Sequence, residues 1–380
     1  MDGHTQLDQR ARLARRLSLR AALGLGALML VFALALGAAC LALWQVHLQV
    51  QALAGQWLSV LCWSAVATVA AWLALRLSAC LFASNPPPIG VALSRELAPS
   101  LYVLVDRVGR DIGDVRIDII WITGDINAAV LQRPRHGLIG RMETHLLIGL
   151  PLAHSVSERQ LVAILSHEFG HLVCQRRALA AWACHVRAWW FRAVDNCIER
   201  FPRLGVLLDR LTLGDVVQAQ VLSRVEEFEA DRVAAEAVGA PLLAQTLLEV
   251  AARERFLRDD YWVKVMAQCA ELPRPSVRPY RDMGLGMVAG FLPSDQRGGC
   301  LGEDCGGEDG LHPTLNERLG ALREVPALET LVEDSVAERH LGPMLPRLAW
   351  ALDRAWWSVT RGEWRQVYRR SRTRRLRSAA

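Results

Sequence analysis

The sequence predicts a mostly helical α+β fold in which a two-helix membrane hairpin precedes a domain carrying a small sheet. Three observations carry that expectation. Two long uncharged apolar runs lie near the N-terminus, three short β-branched or aliphatic segments lie between Ile117 and Gly149, and helical patterning fills most of the remainder. At 380 residues the chain is long enough for more than one structural unit, and its hydrophobic fraction of 52% directs attention first to the membrane.

From Ala21 to Leu75 there is no Asp, Glu, Lys or Arg, and the run divides into Ala21 to Trp44 and Trp57 to Leu75. Each piece is long enough to span a bilayer. Trp44 and Trp57 flank the polar link "QVHLQVQALAGQ", where an aromatic belt would lie. Arg10, Arg12, Arg15, Arg16 and Arg20 precede the first span and Arg76 follows the second, which places both ends in the cytoplasm by the positive-inside rule. A cleaved signal peptide, or a lipoprotein site at "LGAAC", is the alternative, and either would put the remainder outside the cytoplasm. The first lacks a reason for the second span, and in the second Gly37 stands where a large aliphatic is expected. The nine cysteines are odd in number and dispersed, as suits a reducing compartment.

"SNPPPIG" cannot continue a helix and marks the exit from the membrane. Leu97 to Gly109 reads as helix. Ile117 to Ile122, Ile126 to Leu131 and Thr144 to Gly149 read as strands, with "TGD" and "RPRHGLIGR" as turns. Ser157 and Gln160 form a capping box that starts a helix running to about Gln175. Arg176 to Gln220 is too charged to span and reads as amphipathic helices, lying on the membrane, covering the site or packing ordinarily. A further helix carries "SRVEEFEADRVAAEAV" and is stopped by Gly239 and Pro241. Cys300 and Cys305 sit in a glycine-rich acidic loop at a spacing that matches no common zinc pattern. "GLGMVAG" lacks the spacing and context of a dinucleotide fingerprint. These punctuations give residues 1–84 as basic segment and hairpin, 85–324 as the central domain, and 325–380 as a helical extension with a basic tail.

The net charge of +5 is uneven, because the tail "RRSRTRRLRS" holds six arginines, Arg369, Arg370, Arg372, Arg374, Arg375 and Arg377. Such a run is either a solvated end or a contact for anionic lipid. No base-reading motif accompanies it, so nucleic acid is not expected as a partner.

The capped helix is interrupted by "HEFGH", residues 167–171. Positions four apart lie on one helix face, so His167 and His171 can grip one ion, and neutral imidazole suits zinc. Glu168 stands beside the first histidine, positioned to take a proton from a water attacking a carbonyl. A third ligand is available among Glu226, Glu227 and Glu229. Of these, Glu227 alone has a carboxylate four residues on, Asp231, which could accept the N–H of a liganding histidine. "LHPTLNERL" adds His312 and Arg318, a candidate pair for holding an oxyanion or the substrate.

The stretches "INAAV", "IGLPL" with "SERQLVAILSHEFGH", "SRVEEFEAD" and "HPTLNERL", in that order, resemble the membrane-anchored zinc metallopeptidases of the HtpX-like family, relatives of the prenyl-protein (CAAX) endoproteases. The likeness runs from about Pro99 to Leu322. It implies a zincin-like domain binding one zinc ion per chain through His167, His171 and Glu227. It makes Glu168 the general base and acid and Asp231 the partner behind a liganding histidine, and it puts His312 and Arg318 near the site. Asn127 and Ala128 fall on the strand along the cleft, where an extended substrate could add as a strand. The resemblance further implies a multi-pass protein of the inner (cytoplasmic) membrane, its catalytic domain in the cytoplasm, acting on protein or peptide substrates, membrane proteins above all, in quality control or processing. Family members often carry further spans after the catalytic helix, a pattern from which Arg176 to Gln220 departs. The competing reading is an inactive, zinc-stabilised membrane scaffold, against which the presence of Glu168 argues.

Overall fold

The computed structural model describes residues 3–51, 57–82, 87–136, 139–174, 178–290, 313–326 and 334–378. In chain order, helices α1 (Gly3–Gln51) and α2 (Trp57–Leu81) lead to strand β1 (Val91–Leu93), helix α3 (Pro99–Gly113), strands β2 (Ile119–Thr123), β3 (Ala128–His136) and β4 (Ile139–Gly149), and the short helix α4 (Leu150–Ser155). Helices α5 (Glu158–Cys174), α6 (Ala178–Arg200), α7 (Pro202–Val238) and α8 (Ala240–Phe256) follow, then a π turn (Leu257–Tyr261), α9 (Trp262–Ala267) and α10 (Pro279–Gly290). The last described helices are α11 (Leu315–Leu322), α12 (Val336–Leu341) and α13 (Leu345–Ser378). The fold is α+β and mostly helical, as expected. It divides into two compact units, one of Met1–Asn85, Pro134–Gly140 and Gln175–Val225, the other of Pro86–Arg133, Arg141–Cys174 and Glu226–Ala380.

In the first unit, α1 and α2 are both long and apolar enough to cross a membrane. Only 22% and 17% of their most apolar stretches is buried, which separates them from the core helices of a globular domain. Helix α1 begins well before Ala21, because the arginine-rich run ahead of the apolar segment holds no glycine or proline to stop it. Helix α6 packs against α1 and α2, with the Trp190 ring over Gly24, where a Cβ would lie 2.4 Å from the ring. Trp189 Nε1 donates to the Leu81 carbonyl at 2.8 Å, and Arg20 pairs with the buried Asp215 of α7 at 2.7 Å. Within this unit, then, part of Arg176 to Gln220 packs onto α1 and α2, while Val206, Leu211 and Leu213 of the same segment stay exposed. The helix expected to begin near Ser223 is instead the second half of α7, a single helix from Pro202, since nothing in the intervening sequence breaks it.

In the second unit the sheet has the order β1-β2-β4-β3. Strand β1 pairs antiparallel with β2, Ala92 opposite Trp121, and β2 pairs parallel with β4, Trp121 opposite Leu147. Ile120, Ile122, Leu146 and Ile148 are fully buried under α3 and α5, which contribute Leu101, Val105, Leu161, Leu165 and Phe169 to the same core. Strands β3 and β4 run through most of the segment read as a turn. Pro134 does not stop β3, because β3 is the edge strand and an edge position need not donate to a ladder.

The C-terminal extension joins this core. Trp364 is fully buried with its Nε1 on the Leu272 carbonyl at 2.9 Å, and Asp353 Oδ1 accepts the Tyr280 N–H at 2.8 Å in the first turn of α10.

Candidate metal centre

Helix α5 starts where the sequence places it. The Gln160 side chain accepts the Ser157 N–H at 2.9 Å, and Ser157 Oγ accepts the Gln160 N–H at 3.4 Å. Leu161, Leu165 and Phe169 turn one face of the helix into the core, which leaves His167 and His171 on an adjacent face. Helix α7 can come close there because residue 170 is glycine. A Cβ on Gly170 would stand 3.2 Å from both Cα and O of Ala230. Ala230 lies three residues after Glu227, so this close crossing brings Glu227 to the histidines.

The resulting distances decide whether a metal fits. His167 Nε2 lies 3.3 Å from His171 Nε2 and 3.3 Å from Glu227 Oε2, and His171 Nε2 lies 3.6 Å from Glu227 Oε1. A tetrahedral ion with bonds of about 2.0–2.1 Å needs ligand atoms about 3.3–3.4 Å apart. The two Glu227 distances are to different oxygens; with one ligand atom per residue, His167, His171 and Glu227 lie within 4.8 Å of one another and form a metal-capable group among the described residues, with nitrogen and carboxylate donors that suit a zinc-like cation.

Behind this group, Asp231 Oδ1 lies 2.9 Å from His167 Nδ1, which directs Nε2 at the cluster. Arg318 grips Asp231 with two nitrogens, Nε to Oδ2 at 2.8 Å and Nη2 to Oδ1 at 2.5 Å, while its Nη1 stands 3.8 Å from Glu227 Oε2. Burial pushes the Glu227 and Asp231 carboxyls up, but hydrogen bonds from His167 to both and from Arg318 to Asp231 outweigh it, and both end at about 2. They are therefore anionic at any physiological pH. Burial pulls His171 down to about 4, with the neighbouring His167 charge adding to it, which keeps that ring in the neutral form a metal requires. His167 is pulled down by burial and lifted more strongly by Asp231 and Glu227, to about 9, a proton that a cation would displace.

Removing the guanidinium would leave Asp231, 2% exposed, with one partner fewer in a buried site. Arg318→Met should cost about 3 kcal/mol of stability, the low end for breaking a buried pair because His167 stays in place. Thermal unfolding of the detergent-solubilised protein checks it, and an unchanged midpoint would show that the pair is not an energetic unit.

The family model described as Peptidase family M48 matches residues 136–325, half of the chain. The chain belongs to peptidase family M48. No curated protein and no solved structure matches it. In this M48 peptidase the matched range contains His167, Glu168, His171, Glu227, Asp231 and Arg318, whereas Asn127 and Ala128 precede it and α12 and α13 follow it.

The cluster opens into a cleft of about 970 Å³. Asn127 and Ala128 line it at the start of the edge strand, together with Glu168 and Arg318. Glu168 is half-buried. Burial lifts its carboxyl to about 7, against the pull of the His167 charge and of a hydrogen bond from the Val130 backbone in β3. His312, Cys300 and Cys305 lie outside the described residues, though Pro313 lines the cleft. Sequence reasoning missed the far wall. Trp262, Tyr280 and Trp356 also line the cleft, and four clustered tryptophans in the extension were the only available signal, one that does not say which surface they face.

Proposed function

We propose that this M48 peptidase is a membrane-anchored zinc endopeptidase. The observation that carries the reading is the convergence of His167, His171 and Glu227, with ligand atoms within 4.8 Å of one another, in a cleft that also holds Glu168. Bound there, zinc would supply Lewis acidity toward a scissile carbonyl and an attacking water. Glu168 takes the proton from that water and delivers it to the leaving amine nitrogen, so one carboxyl serves in turn as base and acid. Burial raises this carboxyl above the usual carboxylate range, which favours its taking up a proton from water. Asp231 holds His167 in the tautomer that presents Nε2, and Arg318 holds Asp231. Arg318 Nη1 and His312 are assigned to the substrate's developing negative charge. Edge strand β3, entered through Asn127 and Ala128, offers backbone groups to an extended substrate.

The apolar helices α1 and α2 support anchoring, and the flanking arginines support an inner-membrane, multi-pass arrangement with the catalytic residues, within residues 85–324, in the cytoplasm. A tethered site of this kind favours membrane proteins as substrates, in quality control or processing. The basic end of α13 is assigned to anionic lipid.

Full-length protein purified in detergent should carry one zinc per chain and cleave an unfolded protein. Dialysis against a chelator should abolish both, and added zinc should restore both. Stoichiometric zinc without cleavage across detergents and unfolded substrates would instead leave the zinc-stabilised scaffold as the reading.

A further inference from the structure

One wall of the cleft is a single helical run. Leu243, Leu247, Val250 and Glu254 of α8 line it, followed by Leu257 of the π turn and Trp262 of α9. At 1.5 Å per residue this wall extends roughly 28 Å, the length of about eight residues of extended peptide. The π turn matters to what the wall presents. By inserting one residue it changes the register of the helix face, and such insertions recur at functional sites. Tyr261 is held away from the cleft, its hydroxyl donating to the Pro279 carbonyl at 2.5 Å and its ring lying against Gly286. Trp262, the next residue, lines the cleft.

There Trp262 meets two further rings from separate elements. Its centroid is 5.7 Å from Tyr280 of α10 and 5.9 Å from Trp356 of α13. The Tyr280 hydroxyl is engaged with the Gly124 carbonyl at 3.2 Å, so this corner offers aromatic surface more than hydrogen-bonding capacity. The rings are fixed from behind. Asp353 caps the first turn of α10, and Trp356 packs edge-on at 6.2 Å against the fully buried Trp364. A preorganised set of ring faces open to a cleft binds a large apolar side chain with little loss of conformational freedom.

We infer that Trp262, Tyr280 and Trp356 form a side-chain subsite that selects peptides bearing an aromatic or long aliphatic residue at one fixed distance from the cleaved bond. This rests on the peptidase reading above and goes beyond it, since Trp356 belongs to the extension after the family-matched range.

The test walks a single Phe through an otherwise Ala- and Gly-rich fluorogenic peptide and measures kcat/KM for the full-length protein. One position should be favoured by at least about tenfold over Ala, the discrimination expected of an apolar pocket. In Trp262→Ala that Phe-to-Ala ratio should fall several-fold toward one. Trp356→Leu, which replaces one of the three rings by a smaller apolar side chain, should shift the preference from Phe toward Leu at the same position. Binding of the same peptides to Glu168→Gln protein, followed by fluorescence anisotropy, separates the two claims. Cleavage without a positional preference, or a preference unchanged in both variants, would overturn the subsite while leaving the peptidase intact. Absence of cleavage with selective, Trp262-dependent binding would overturn the peptidase reading and keep the subsite.

Discussion

Glu168→Gln should keep its zinc and lose peptide hydrolysis by at least about 100-fold, the lower bound for removing a positioned general base. The substitution preserves shape and can still accept a hydrogen bond from the Val130 backbone, so the cleft geometry survives. In the proposed mechanism, what it removes is the group that takes a proton from water and returns it to the leaving nitrogen. Stability should not fall. Burial already resists ionisation of this carboxyl, lifting it to about 7, and a neutral amide avoids that cost. Metal content, kcat/KM and the unfolding midpoint measured on one preparation give three separate readings. Retained hydrolysis in the variant would assign the proton transfer to another group and end the mechanism proposed for Glu168.

Glu227→Ala should lower zinc affinity by more than about 100-fold, because loss of an ion-contacting carboxylate exceeds the 10- to 100-fold cost of losing a residue behind a ligand. The two oxygens of Glu227 stand 3.3 Å from His167 and 3.6 Å from His171, so no rearrangement of the histidines alone replaces the missing corner. Glu229→Ala, on the same helix but outside the metal-capable group, should retain the ion. Metal analysis after desalting decides between them. Loss of zinc from the Glu229 variant with retention in the Glu227 variant would mean that the centre is built on the other carboxylate.

Local features were legible in the sequence to the extent that a local cause produced them. The capping box at Ser157 and Gln160 started α5 because both halves of that bond lie within one turn. The two apolar runs became α1 and α2 because uncharged length is itself the requirement for crossing a membrane. Boundaries were less legible. Strand β3 passes through Pro134 since its place at the sheet edge tolerates a missing donor, and edge position is a property of strand order. Likewise α7 proved continuous from Pro202 to Val238, where the sequence predicts a further helix beginning at the segment carrying Glu226 to Asp231.

By itself the sequence determined the helical α+β class, the paired apolar helices, the histidine spacing that allows one ion to be shared, and the pairing of Glu227 with Asp231 one turn on. All of these depend on periodicities within a few residues. Tertiary structure alone decided that α7 crosses α5 at Gly170 closely enough for Glu227 to meet the histidines, and that Arg318 turns its guanidinium onto Asp231. It also decided that Trp356 of the C-terminal extension lines the cleft. Such meetings join residues tens to more than two hundred positions apart, and they depend on how helices cross and what volume lies between them, which no local spacing encodes.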